Sequence, residues 1–284
     1  MQFAIDGVAY QLGAPHDFSW LHDYGRVFAV FDRQDSGNIA FGVAGPEGKR
    51  FVKYAGAPTL RCPDDPAQAV ARLRAAVQPY RDLRHPNLVH LRQEREVGAG
   101  YALIFDWVQG QCLHAHWDAA AHPEYTHPQS PYERYRRLPL NKRLNSLATI
   151  LDVHAAVERA GYVAVDLYDG SLIYDFSTDA TTVCDIDFYA PGPLINTMGR
   201  MWGSSRFMSP EEFTLGAAID ARSNVFSLGA MAFVFLGGGK NRDRALWEAG
   251  DALYGVMQRA MSPERDLRYP TVAALKAAFD QARA

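Results

Sequence analysis

Three aspartates and one lysine have the types and spacing on which chemistry could be built. Asp185 and Asp187 stand two residues apart in VCDIDFY at 183–189, and Asp166 precedes them in GYVAVDL at 161–167. Carboxylate oxygens are the hard donors that a magnesium ion takes. On a strand, a spacing of two points both side chains to one face, so Asp187 and Asp185 are both candidate donors. Lys53, in FVK at 51–53, puts a compact positive charge on a strand, where it could neutralise an anion such as phosphate. Taken singly, the same residues are solvated loop carboxylates and an exposed strand lysine. The basic run Arg134, Arg136, Arg137, Lys142 and Arg143 reads as solvated surface in preference to a seat for an anionic partner.

Periodicity shows which elements must position these groups. Between residues 28 and 54, apolar or aromatic runs alternate with the turn-forming stretches DSGN and GPEG, which predicts three short antiparallel strands ending on Lys53. Residues 66–80 carry Ala67, Val70, Ala71, Leu73 and Val77 at helical spacing, with Asp64 and Asp65 at the N-terminal end. Two further strands are expected at LVHL (88–91) and YALIF (101–105), with a link near Gln109 and Gly110. Residues 114–138 lack a clean period and predict a long connection with irregular helix. A helix is predicted over 140–160, closed by Gly161, and strand-like pieces over 172–174 and 182–185. Residues 224–236 and 272–282 read as helices. The N-terminal 27 residues are expected to add a strand and a cover to the first sheet.

Composition limits the classes open to the chain. In 284 residues, 48% hydrophobic and 21% charged content is that of an ordinary folded protein. A formal net charge of -3 gives no general pull toward nucleic acid or an anionic membrane, so neither partner is expected. The opening MQFAIDGVAY lacks the basic flank and apolar core of a secretion signal, and the apolar run 225–236 is too short for a bilayer. A cytoplasmic protein is expected. Cys62, Cys112 and Cys184 are widely spaced and odd in number, which fits packing roles in a reducing compartment.

One stretch adds a more specific signal. GSSRFMSPE at 203–211 resembles the end of a protein-kinase activation segment, and other landmarks follow in order from about Phe28 to the C-terminus. On these motifs the chain resembles the protein-kinase-like superfamily. The resemblance implies a single α+β domain with two lobes. Residues 28–109 would form a small five-stranded antiparallel lobe with one helix, residues 110–284 a larger mainly helical lobe, and residues 1–27 an extension. It implies ATP and Mg²⁺ as cofactors and a protein substrate or partner at the activation segment. Lys53 would hold the α- and β-phosphates, and Gly37, in the reduced glycine loop DSGN, would approach them. HPNLV at 85–89 would join the small-lobe helix to the fourth strand. Phe105 would guard the back of the pocket, and the backbone of Asp106 and Val108 would bind adenine. Asp166 would orient and deprotonate the acceptor hydroxyl. Asp187 would bind metal, with Ser171 in the slot of the second metal ligand and Asp185 as a further candidate. Glu211 and Arg268 would form a buried ion pair.

The chain also departs from that pattern. Its phosphate loop keeps one glycine, and Ala76 stands near where the partner of Lys53 is expected. Ala164 and Val165 replace the histidine and arginine before the catalytic aspartate, Tyr168 replaces a lysine, and Asn224 replaces an aspartate of the central helix. The expected function is therefore a divergent serine/threonine protein kinase. The alternatives are a pseudokinase acting as a binding or scaffold module, and a small-molecule kinase.

Overall fold

Turn chemistry in the first third of the chain produces a meander of strands. The computed structural model describes residues 1–62, 65–114, 125–239 and 241–283. It is α+β, with several antiparallel sheets. The chain divides into two compact units, Met1–Arg81 with Val89–Val108, and Asp82–Leu88 with Gln109–Ala284.

The first unit contains β1 (Gln2–Ile5), β2 (Val8–Gln11), β3 (Arg26–Phe31), β4 (Asn38–Gly45), β5 (Gly48–Ala55), α1 (Pro66–Ala75), α2 (Val77–Asp82), β6 (Leu91–Val97) and β7 (Gly100–Asp106). β3 to β7 form one five-stranded antiparallel sheet in the order β3-β4-β5-β7-β6. Alternation along β4 and β5 sends Ile39, Phe41, Val43, Val52 and Tyr54 to one face. The β1/β2 hairpin and the turn Ser19–Asp23 cover that face with Tyr10, Leu12, Phe18 and Leu21. Residues 1–27 thus supply part of this unit's own core. The opposite face, which bears Ala40, Lys53 and Leu103, packs against α1.

Two boundaries differ from the sequence reading. The helix expected over 66–80 is two helices that break at Ala76. Pro79 explains the break, since proline has no N–H to donate and fits only the first turn of a helix, which is where α2 holds it. Asp65 caps α1 by accepting from the Ala67 N–H at 2.9 Å, while Asp64 lies outside the described residues. The strand expected at LVHL instead runs as LRQEREV from Leu91. As a sheet edge it carries charged side chains at most positions, so its hydrophobic alternation is weak.

The second unit is built on α4 (Leu140–Arg159), α5 (Ala221–Leu236), α6 (Gly250–Ala260) and α7 (Val272–Arg283), with β8 (Gln111–Cys112) and α3 (Pro131–Arg136) before them. Between α4 and α5 come β9 (Tyr162–Val163), β10 (Leu172–Asp175), β11 (Ala180–Val183), β12 (Ala190–Pro191), β13 (Leu194–Ile195) and β14 (Ala218–Ile219). β10 pairs with β11 and β8, and β12 pairs with β9. α5 is apolar almost all round and is buried nearly throughout, so the other helices pack about it. Of the connection predicted over 114–138, residues 115–124 lie outside the described residues. The remainder contains α3, capped by Ser130 accepting from the Glu133 N–H at 3.0 Å. No helix among the described residues is long and apolar enough to cross a membrane.

Candidate active site

In the second unit the chain leaves β9 and enters a tight loop that returns at β10. Asp166 sits in this loop with φ +62°, a left-handed conformation that aspartate tolerates better than most residues. Asn224 at the start of α5 anchors the loop's entry. Its Oδ1 accepts from the Ala164 N–H at 2.8 Å, and its Nδ2 donates to the Tyr162 carbonyl at 3.5 Å. The loop's exit is a turn over Asp169–Ser171, all buried. Ser171 is fully buried, and its carbonyl accepts from the Cys184 N–H at 2.8 Å, tying the exit to the end of β11.

Asp185 and Asp187 lie beyond β11, which ends at Val183. Asp185 has φ +53°, so the chain is not extended there and the expectation that the two aspartates share a strand face is overturned. Ile186 between them is fully buried, and both carboxylates are half-buried. Asp185 turns toward the Asp166 loop, with the Tyr168 hydroxyl donating to its Oδ2 at 3.5 Å. Burial pushes the Tyr168 hydroxyl far above its ordinary pKa, and the charges of Asp185, Cys112, Asp166 and Cys184 add to the effect. One protonated hydroxyl therefore lies within electrostatic reach of both Asp185 and Asp166.

A second buried hydroxyl lies in the same region. Tyr189 is held far above its ordinary pKa by burial and then by the charges of Cys184, Asp166 and Asp185. It meets His154 of α4 at 2.7 Å through Nε2, while Nδ1 of the same ring lies 2.7 Å from the Ile150 carbonyl. A carbonyl only accepts, so Nδ1 carries the proton and Nε2 accepts from Tyr189. Burial lowers the His154 pKa to about 4, and the ring stays neutral.

Gly203, at the head of the 203–211 stretch, lies beside Asp166. A Cβ added to Gly203 would stand 3.6 Å from Asp166 Oδ1 and 3.1 Å from the Met208 side chain. Arg206 in the same stretch reaches Asp169, with Nη2 at 2.8 and 2.9 Å from the two carboxylate oxygens. Further on, Arg268 meets Glu211 as the sequence predicts, Nη1 to Oε1 at 2.7 Å and Nη2 to Oε2 at 3.0 Å. Burial pushes the Glu211 carboxyl up, but hydrogen bonds from Arg268 and Ser223 outweigh it and leave the pKa below the usual value. Next to it, burial raises Glu212 to about 7 despite hydrogen bonds from the Ser209 N–H and hydroxyl at 2.6 and 2.7 Å.

The remaining predicted residues belong to the first unit. Lys53 is buried on β5, opposite Ala40 and Leu103. Gly37 has φ +81°, and the space its Cβ would need is taken by Ala69 Cβ at 2.9 Å and Cys62 Sγ at 3.2 Å. Arg72 of α1 also donates to the Ser36 carbonyl at 3.1 Å. The missing Cβ thus serves the close approach of this turn to α1, a use the sequence did not reveal. Phe105 is buried against Tyr80, ring centroids 4.8 Å apart. Asp106 accepts from Arg92 Nε at 2.7 Å, and its N–H donates to the His90 carbonyl at 3.3 Å. The Trp107 N–H donates to the Lys49 carbonyl at 3.2 Å, and half-buried Val108 closes the unit.

Asp185, Asp187 and Ser171 carry oxygen donors of the kind a hard divalent ion takes, and the buried Ser171 hydroxyl accepts from the Tyr168 N–H at 3.5 Å. Among the described residues no three His, Cys, Asp or Glu side chains assemble a protein-only cage. Magnesium normally takes only one or two carboxylates from protein. Arg206–Asp169 and His154–Tyr189 were missed by sequence reasoning. Each joins residues 35 or more apart with no spacing signal. No protein-family model matches the chain, and no curated protein matches it.

Proposed function

We propose that the chain is an ATP- and Mg²⁺-dependent phosphotransferase of the protein-kinase-like superfamily, with two lobes, that phosphorylates a serine or threonine hydroxyl of a protein. The observation that carries this reading is the meeting of Asp166 with residue 203, at the head of a segment clamped by Glu211 and Arg268. A carboxylate beside the segment that would present an acceptor is positioned to orient its hydroxyl and take the proton. Asp185 and Asp187 are assigned as the metal ligands, with the Tyr168 hydroxyl donating to Asp185 on the side of the Asp166 loop. Ser171 would add a hydroxyl oxygen. The ion, when bound, would neutralise phosphate charge. In the first unit, Lys53 would hold phosphate, Phe105 would pack behind the base, and Asp106 and Val108 would offer backbone groups to it.

A second reading, a pseudokinase that binds partners without transferring phosphate, has one observation in its favour. The turn that carries Gly37 is fixed to α1 by Ala69, Cys62 and Arg72. Thermal-shift titration with ATP, with and without Mg²⁺, beside phosphate-transfer assays separates the two readings. We expect Mg²⁺-dependent stabilisation of about 2–3 kcal/mol at a hundredfold excess over Kd. We also expect transfer abolished in Asp166→Ala and strongly reduced in Asp185→Asn and in Asp187→Asn. Binding without transfer would favour the pseudokinase, and no nucleotide effect at all would end the kinase reading.

A further inference from the structure

Asp169 is a fully buried carboxylate three residues after Asp166 and two before Ser171. Its partner Arg206 lies three residues after Gly203, the residue that meets Asp166. The guanidinium is enclosed on other sides too. Nη2 donates to the Tyr125 hydroxyl at 2.8 Å, and the group lies 4.6 Å over the Tyr125 ring and 4.8 Å over that of Phe207. The Tyr125 hydroxyl in turn meets His114 Nδ1 at 3.1 Å. Around Asp169 the loop is equally constrained. The Tyr168 ring occupies the space where a Gly170 Cβ would stand, and the Cys112 thiol donates to the Gly170 carbonyl at 3.3 Å.

A buried ion pair adds little net stability over apolar groups of the same volume, because desolvation of both charges offsets their attraction. What it supplies is direction, since the guanidinium's rigid planar fork meets the carboxylate in a defined orientation. We infer that Arg206 and Asp169 are positioning residues, a latch that fixes the 166–171 loop against the 203–211 segment and so sets Asp166 and Ser171 relative to an incoming hydroxyl. The inference rests on the phosphotransferase reading for its consequence in turnover, but not for the coupling of the two segments.

The test is the double variant Asp169→Leu/Arg206→Met beside wild type. Its readouts are the thermal midpoint, transfer from Mg·ATP to dephosphorylated casein, and amide exchange over 164–171 and 203–209. The expected result is a midpoint within a few degrees of wild type, kcat lowered at least 30-fold, KM for ATP within threefold, and exchange at least tenfold faster in both segments together. A folded double variant with kcat within threefold and unchanged exchange overturns the latch. If wild type transfers no phosphate, the phosphotransferase reading fails, and the exchange result alone decides the latch. Should the double variant not fold, Asp169→Asn, which keeps size and shape, is judged by the same kcat, KM and exchange criteria.

Discussion

Replacing Arg268 by methionine tests how the 203–211 segment is held. Arg268 donates to both oxygens of Glu211, to the carbonyls of Ser262 and Arg222 at 2.7 and 3.1 Å, and to that of Pro263 at 3.4 Å. Removing it leaves a buried carboxylate with the Ser223 hydroxyl at 2.7 Å and Arg265 Nε at 3.7 Å as its remaining partners. Stranding one member of a buried pair costs about 3–5 kcal/mol. For a body of this size that is a fall in midpoint of about 6–20 °C. The pH dependence checks the cause. In wild type the Glu211 pKa lies below its unfolded value, so its contribution is present above pH 4.5 and lost as pH falls through the folded value. In Arg268→Met, burial dominates and the folded pKa rises above the unfolded one, so that contribution is lost as pH rises. The stability gap between the two proteins should therefore be widest near pH 8 and narrow toward pH 5, read by urea unfolding at each pH. Glu212 also feels the Arg268 charge, so losing it raises the Glu212 pKa further and widens the gap at high pH in the same sense. Glu211→Met/Arg268→Met should recover most of the loss. A gap under about 1 kcal/mol, or one that is flat with pH, would refute the account.

Two buried groups should shape the wild-type stability profile in opposite senses. Glu212, with a folded pKa of about 7 against 4.5, contributes stability below pH 4.5 that is lost as pH rises through 7. Glu212→Gln keeps an acceptor for Ser209 and should gain roughly 3 kcal/mol over wild type at pH 8 with none at pH 4; parallel profiles would refute this. His154, with a folded pKa of about 4 against 6.5, contributes stability above pH 6.5 that is lost as pH falls through 4. His154→Phe/Tyr189→Phe, which removes both polar partners, should flatten that acid loss of roughly 3 kcal/mol, and an undiminished loss between pH 6.5 and 4 would count against it.

The sequence made some of this arrangement legible and hid the rest for physical reasons. β4 and β5 follow from alternation bounded by turn residues, and Glu211 could be paired with Arg268 only through the resemblance to the protein-kinase-like pattern. The strand after α2 was displaced to Leu91 because an edge strand need not alternate hydrophobically. The shared face assigned to Asp185 and Asp187 failed because a period of two holds only while φ stays extended, and nothing in CDID announces the turn to φ +53°. Arg206 and Asp169 meet only through the fold, so each reads from sequence as a solvated charge.

Asn224 shows why a lost side chain is not the same as a lost role. The expected residue was an aspartate, yet the demand at that place is for an acceptor of the Ala164 N–H, which the amide oxygen meets at 2.8 Å. Asparagine also brings a donor, used toward the Tyr162 carbonyl. Burying a neutral amide costs less than burying a charge, and Asn224 is 2% exposed, so the substitution holds the loop without a counter-ion. The same reasoning does not extend to Tyr168, where a cation is expected. A phenol whose proton is held far above the ordinary range can donate to Asp185 but neutralises nothing. Departures that replace one acceptor by another leave the loop intact, while a departure that removes charge must change the electrostatics of Asp166 and Asp185. It is at Tyr168, more than at Asn224, that this chain differs in chemistry from the pattern it resembles.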